Sequence, residues 1–397
     1  MKNYKYVIIG GGMTGSAAVN EIRKNDPEGS IAMFSKEPIK PYNRPPLTKG
    51  LWTGKELDDI LHPIEKHDID LYLDTEIVRL LPQSHEVVDQ NDETYRYQKL
   101  LLATGGEPIT LKDVPDGVIY YRTQADFQDL KELVETKDNF CVIGGGFIGS
   151  EIAAALNKQG KLVTMIFPEG GISGLRFPDD LSLFLNDYYR EKGVSVLNYH
   201  LVEEIEKIDD RYLIHYKNVE DGRKSERAFD AVIVGIGIKP DVKLAQESGL
   251  QIEDGIVVNK FLQTSDPDIF AAGDVSFFPI EDFEKYMRVE HEDHALSSGR
   301  AAGHNMTGAL EKYDHSPFFY SDLFDHGYEA VGILDKNFNI VEDWIEPFKK
   351  GTIFYLDEGK IKGLIFWNLW GKVDQGRKLI REGLTYKPPE LIGLITE

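Results

Sequence analysis

An α/β fold built on two repeated strand–turn–helix units, closed by an antiparallel α+β segment, is what the sequence predicts. Three observations carry it. An apolar strand ending at residue 9 runs straight into Gly10-x-Gly12-x-x-Gly15 and then the helical pattern SAAVNEIRKN. The same succession returns at residues 140–160, where FCVIGGGFIG carries Gly144-x-Gly146-x-x-Gly149 into SEIAAALNKQG. From about residue 318 to residue 370 the runs YEAVGIL, GTIFYL and KGLIFWNLW, separated by turn and charge signals, read as antiparallel strands.

Glycine at the three fingerprint positions lets the chain turn tightly, lets the backbone approach a pyrophosphate and lets the helix pack close to the strand. The helix N-terminus can then hold a dianion. Each unit is therefore Rossmann-like, a dinucleotide site. Two such sites in one chain imply a reaction between two dinucleotides.

The totals are compatible with this. A length of 397 residues exceeds one ordinary core, and 41% hydrophobic with 28% charged residues is the balance of a globular chain. No apolar run suggests a membrane span. The first strand begins within a few residues of Met1, so the expectation is a cytoplasmic protein without a leader. A net charge of -22 argues against nucleic acid and anionic membranes as partners. The one cysteine, Cys141, lies in an apolar strand and reads as a buried small hydrophobe, so no dithiol relays electrons.

In chain order, the second strand at residues 30–34 leads to Ser35-Lys36-Glu37, where Glu37 is the candidate for the adenosine ribose hydroxyls. Residues 41–52, PYNRPPLTKGLW, form a proline-stiffened loop in which Arg44 and Lys49 suit a phosphate-rich ligand. Residues 71–73 and 87–89 read as strands of a small meander. Residues 99–103 form an apolar strand ending in Thr104-Gly105-Gly106, a turn that lets backbone lie against a flat cofactor. Residues 116–129 read as connection.

After the second fingerprint, the strand KLVTMIF ends near Glu169, twenty residues past Gly149. An acid there accepts from a free 2′-hydroxyl and repels a 2′-phosphate, favouring NADH over NADPH, although Arg176 lies close enough to blur that preference. Residues 181–192 read as an amphipathic helix, and DAVIVGI leads to Gly237. Residues 372–383 read as a closing helix. His291 and His294 in HEDH lack the spacing and further ligands of a metal site, so no metal is expected.

TSDPDIFAAGDV, residues 264–275, resembles the second flavin motif of FAD-dependent pyridine-nucleotide oxidoreductases, in which the Asp takes the ribityl chain; Asp274 holds that position. PYNRPPLTKGLW, RVEHEDHALSSGRAAGHNMTG, FFYSDLFDHGYEAVGILD and IFYLDEGKIKGLIFWNLW are similar to the apoptosis-inducing factor and oxygenase-type ferredoxin reductase branches of that family.

The resemblance implies an FAD-binding domain in two segments, 1–122 and 245–315, around an NAD-binding domain, 123–244, with a C-terminal α+β domain at 316–397. FAD would then touch Gly10, Gly12, Gly15, Arg44, Lys49, Ala103, Thr104, Gly105 and Asp274. The nicotinamide nucleotide would touch Gly144, Gly146, Phe147, Ile148, Gly149, Glu169 and Gly237. Lys49 and Glu151 would pair near the reactive edge of the isoalloxazine, a cation stabilising the charge that hydride transfer puts there and a carboxylate fixing the cation. Phe147 would gate the nicotinamide.

Three positions depart from the pattern. Lys36 stands where the family often has an acid, Glu292 where a His follows the first His, and Tyr320 where apoptosis-inducing factor has Trp. The last two tilt the reading from a redox-switched binding protein toward an enzyme. Its acceptor would be a small electron-transfer protein, a quinone or oxygen, and a homodimer stays open. An acidic carrier would need a local basic patch that net charge does not reveal.

Overall fold

The computed structural model describes residues 1–396. The chain divides into two units. Unit 1 comprises Met1–Pro45, Glu56–Glu107 and Lys239–Phe319; unit 2 comprises Pro46–Lys55, Pro108–Ile238 and Tyr320–Glu397.

Unit 1 is organised by strand Lys2–Ile9, whose residues 6–9 are fully apolar and buried. It pairs in parallel with Ile31–Phe34 on one side and with Thr94–Leu102 on the other. Strands on both flanks of the first make the carboxyl end of that strand a topological switch point, the place where open α/β sheets bind ligands. Strand Ile269–Ala271 returns from far along the chain to pair with Thr94–Leu102. Helix Met13–Asn25 packs on helix Glu292–Met306 through small residues: a Cβ on Gly299 would stand 2.4 Å from the Thr14 carbonyl oxygen, and one on Gly303 2.5 Å from that of Ala18.

Unit 2 repeats the scheme. Strand Asn139–Ile143 lies between Leu162–Ile166 and Ala231–Val234, all parallel, with Ser195–Leu197 and Ile119–Tyr120 at the edges. Cys141 is wholly buried in the central strand, and burial pushes its thiol well above the ordinary range. An antiparallel sheet of His200–Ile208, Arg211–Asn218 and Lys224–Phe229 turns Tyr212, Ile214 and Tyr216 onto that core. The C-terminal segment forms a five-stranded sheet, with helix Val373–Glu382 against strands His326–Gly332 and Lys360–Trp367.

Several local expectations are corrected. Strand Asp70–Tyr72 is no meander strand; it extends the parallel sheet beside Ile31–Phe34, where Phe34 and Tyr72 stack 4.7 Å apart. The expected connection at 116–129 contains strand Ile119–Tyr120 and the start of helix Gln124–Thr136. Thr123 caps that helix reciprocally with Asp126, a capping box legible in TQAD. Strands Phe318–Leu323 and Asn339–Glu346 complete the C-terminal sheet.

Candidate functional site

The two fingerprints have nearly superimposable steric requirements. A Cβ on Gly10 would lie 2.0 Å from the Ala103 carbonyl oxygen, and one on Gly144 would lie 2.3 Å from that of Gly235. Gly15 and Gly149 would each meet a carbonyl at 2.2 Å, that of Gly10 and Gly144 respectively. Gly10 and Gly144 also have φ of 123° and 119°, the left-handed region that an L side chain avoids.

Gly12 and Gly146 differ from the rest: nothing stands within 4 Å of a Cβ on either. Both are helix N-caps without a side-chain cap, so the first N–H groups of each helix open onto space. That is the shape and polarity of a phosphate cradle, present twice, and it fits the pyrophosphates of two dinucleotides.

Beyond the cradles the units diverge. In unit 1 Glu37 accepts from Arg44 Nη2 at 2.6 Å and from Tyr42 Oη at 2.6 Å, and its backbone N–H donates to Ser35 Oγ at 3.2 Å. In unit 2 Glu169 is half-buried, and its carboxylate makes no ion pair among the described residues.

Thr104 donates its hydroxyl to the Asp241 carbonyl at 2.7 Å, and Gly105 accepts from Asp241 N–H at 3.0 Å, which fixes the turn after the Thr94–Leu102 strand. Gly273, at φ 73°, faces Thr14, where a Cβ would lie 2.3 Å from the hydroxyl, and its N–H donates to Ser298 Oγ at 2.9 Å. Asp274 is thereby held at the end of strand Ile269–Ala271. Next to it, His294 is fully buried between Ser276 and Tyr313 Oη, 3.3 and 3.0 Å from its two nitrogens, and desolvation lowers it to about 4. It is a neutral core imidazole. His291 stacks on Phe319 at 4.4 Å, and Glu292 opens the helix.

In unit 2, Lys49 and Glu151, 102 positions apart, meet at 2.8 Å with side chains 18% and 5% exposed. Glu151 also accepts from Thr48 Oγ1 and Ser321 Oγ, each at 2.5 Å. Tyr320 presents its ring 4.6 Å from Lys49 Nζ, a cation–π contact. Burial first, and the Glu151 charge second, push the hydroxyls of Tyr189 and Tyr328 far above the phenol range. Thr48 and Ser321 are the site residues that motif reasoning missed: a hydroxyl beside a motif lysine carries no periodic signal. Of the two loop cations, Arg44 pairs with Glu37 and Lys49 with Glu151.

Phe147 opens the second fingerprint helix, with the Arg176 guanidinium 5.3 Å from its ring centroid, and Ile148 is 41% exposed beside it. Gly237, at φ 110°, accepts from Ile109 N–H at 2.9 Å. Glu204, Glu206 and His215 gather on the antiparallel sheet with ligand atoms within 4.8 Å, but this is an exposed face, where acidic groups meet without an ion.

Two sheets with parallel centres and twin phosphate cradles define a protein that handles two dinucleotides. Comparison with known proteins says which. Residues 4–299 match the family described as pyridine nucleotide-disulphide oxidoreductase, and residues 302–347 and 340–382 match the C-terminal domain of apoptosis-inducing factor. The chain belongs to that oxidoreductase family. It is 33% identical over 439 residues to mitochondrial apoptosis-inducing factor 1 of Dictyostelium discoideum, covering 96% of this chain and 79% of the relative. It is 31% identical to monodehydroascorbate reductase 3 of Arabidopsis thaliana, covering 91% and 89%. Among solved structures, putidaredoxin reductase in covalent complex with putidaredoxin superposes with a TM-score of 0.89 at 27% identity, covering 98% of this chain and 96% of the other.

Family membership makes the chain an FAD-dependent NAD(P)H oxidoreductase of the ferredoxin reductase and monodehydroascorbate reductase type. No helix among the described residues is long and apolar enough to cross a membrane.

Proposed function

We propose that this protein takes hydride from NADH and delivers electrons to a non-disulfide acceptor, a small electron-transfer protein being the class favoured. The observation that carries the reading is the doubled, open phosphate cradle at Gly12 and Gly146. FAD, when bound, accepts hydride from reduced nicotinamide and passes electrons on.

The chain's own residues supply the rest. Gly10, Gly12, Gly15, Ala103, Thr104, Gly105 and Asp274 hold FAD in unit 1, with Arg44 neutralising Glu37 so that the pair binds as one polar unit. Gly144, Gly146, Gly149 and Gly237 hold the nicotinamide nucleotide, Glu169 reads its free 2′-hydroxyl, and Phe147 with Ile148 covers it. Lys49 places a positive charge at the reactive edge of the flavin ring. Lys49, Thr48 and Ser321 each donate to Glu151 and hold that carboxylate in place, and Tyr320 packs on the ammonium. Glu292 and Tyr320 give the flavin a less cationic and less extended aromatic surround than the motif expects, which supports turnover over a persistent reduced complex.

The lone thiol supports the acceptor class. Disulfide exchange needs an exposed thiolate, and Cys141 is buried and held protonated.

Anaerobic stopped-flow mixing with NADH tests the reading. Fast bleaching of the flavin, tighter binding of NADH than NADPH and reoxidation by a one-electron acceptor are expected. A flavin spectrum unchanged by either nucleotide overturns it. A long-lived charge-transfer band with altered oligomeric state would favour the redox-switched binding protein instead.

A further inference from the structure

We infer that Tyr199, together with Asn186 and Asn198, sets the selectivity for NADH: these positioning residues clamp the glycine-rich turn after Glu169, so that it does not open around a 2′-phosphate. The inference rests on the reading of Glu169 given above and deepens it. An acid discriminates between the two nucleotides only while its backbone stays in place.

Residues 168–176, PEGGISGLR, follow strand Leu162–Ile166 and put three glycines between Glu169 and Leu175. Left free, a turn of this composition would reshape around a bulkier ligand at little cost. In unit 2 it is held from four sides. The Gly170 carbonyl accepts from Asn186 Nδ2 at 2.9 Å and from Asn198 Nδ2 at 2.8 Å, and Ile172 N–H donates to Asn186 Oδ1 at 3.1 Å. The Glu169 carbonyl accepts from Tyr199 N–H at 3.0 Å. Ser173 N–H donates to the carbonyl of Gly145, inside the second fingerprint, at 2.8 Å. Tyr355 Oη, on strand Lys350–Asp357, donates to the Arg176 carbonyl at 2.8 Å.

The clamping side chains have little else to do. Asn186, 1% exposed on helix Asp179–Glu191, uses both ends of its amide on the turn. The turn lies against that helix without slack, since a Cβ on Gly171 would stand 2.6 Å from Ser182 Cβ. Asn198 is itself fixed, its Oδ1 accepting from Arg190 Nη2 at 2.8 Å. Tyr199 has φ of 58°, the left-handed region in which a bulky side chain is strained and glycine is not. Its ring lies across Gly170, where a Cβ would stand 2.6 Å from Oη and 3.0 Å from Cζ. Core filling does not account for a strained tyrosine that is only half-buried. Glycine at 199 would keep the backbone bond to Glu169 without strain, so what the ring alone adds is a stop against the peptide that follows Glu169.

To accept NADPH, the turn would have to carry the Glu169 carboxylate away from the added phosphate and bring a cation toward it. Arg176 is the one cation of the turn, and its guanidinium is engaged 5.3 Å from the Phe147 ring centroid while Tyr355 holds its carbonyl. The clamp opposes both movements. Discrimination then comes from the cost of reshaping the turn as well as from the charge of Glu169.

The test measures kcat/KM of the holoenzyme for NADH and for NADPH, with ferricyanide as acceptor, and FAD content by visible absorbance. Tyr199→Gly is expected to lower the NADH to NADPH ratio about fivefold, chiefly through a lower KM for NADPH, with FAD content unchanged. Asn198→Ala, which removes one of the two donors to Gly170, should move the ratio the same way by less. Tyr199→Phe keeps the ring and should keep the parent ratio. A clamp that served stability alone would change turnover with both nucleotides alike and leave the ratio where it was. The parent ratio in Tyr199→Gly, alongside a narrowed one in Glu169→Gln, overturns the clamp and spares the reading of Glu169. The parent ratio in Glu169→Gln defeats that reading and the clamp with it.

Discussion

The two fingerprint units share a cradle and differ at its far end. Gly10, Gly12 and Gly15 face the same obstacles and the same open space as Gly144, Gly146 and Gly149, because phosphate binding needs only backbone N–H groups and a close helix. The acid that follows is another matter. Glu37 is locked to Arg44 and Tyr42, while Glu169 has no ion pair among the described residues. A built-in network suits a resident cofactor; an uncommitted carboxylate suits a nucleotide that comes and goes.

The sharpest way to break that comparison is substitution at the open glycines. Gly12→Ala and Gly146→Ala both fit the fold, so both apoproteins should melt like the parent apoprotein. The first should nevertheless lose FAD affinity by roughly 100-fold, about 3 kcal/mol, and the second NADH affinity by a similar factor with FAD retained. Visible absorbance and NADH titration distinguish them, and loss of FAD from Gly146→Ala would refute the division of labour.

Next in size is Lys49→Ala. It strands the buried Glu151 carboxylate and should cost about 3 kcal/mol in urea unfolding. Flavin reduction should slow more than FAD content falls; FAD loss with a normal rate in the remaining holoenzyme rejects the role.

Unit 1 should also carry its own pH signature. His294 stays neutral in the fold down to about 4, chiefly because it is desolvated; Asp274, Asp293 and the Gly273 backbone raise it, and His315 lowers it. Between pH about 6.5 and about 4 the unfolded chain therefore binds a proton that the folded chain does not. Stability is fully present above about 6.5 and falls as the pH drops through that window, by at most about 3 kcal/mol. His294→Gln should flatten the unfolding curve there.

The smallest effect is at the ribose. Glu169→Gln should narrow the NADH over NADPH preference by about tenfold in KM, or about 1.4 kcal/mol, without changing FAD content.

Much of this was legible beforehand. The fingerprints, their flanking strands, the helix opening at Glu292 and the closing helix follow from period and glycine spacing, which act over a few residues. The helix Gln124–Thr136 was equally legible in its Thr123 and Asp126 cap, but a polar start disguised it as connection. Strand Asp70–Tyr72 was recognisable as a strand, but its partner was not, since three residues carry no register.

Local pattern thus determined which stretches became strand, cradle and helix, because backbone sterics and side-chain period are properties of neighbours in sequence. Tertiary structure alone decided that Thr48 and Ser321 would join Lys49 on the Glu151 carboxylate and that Gly273 would face Thr14. Burial, pairing and field are sums over groups brought together from distant parts of the chain, and no spacing rule reports them.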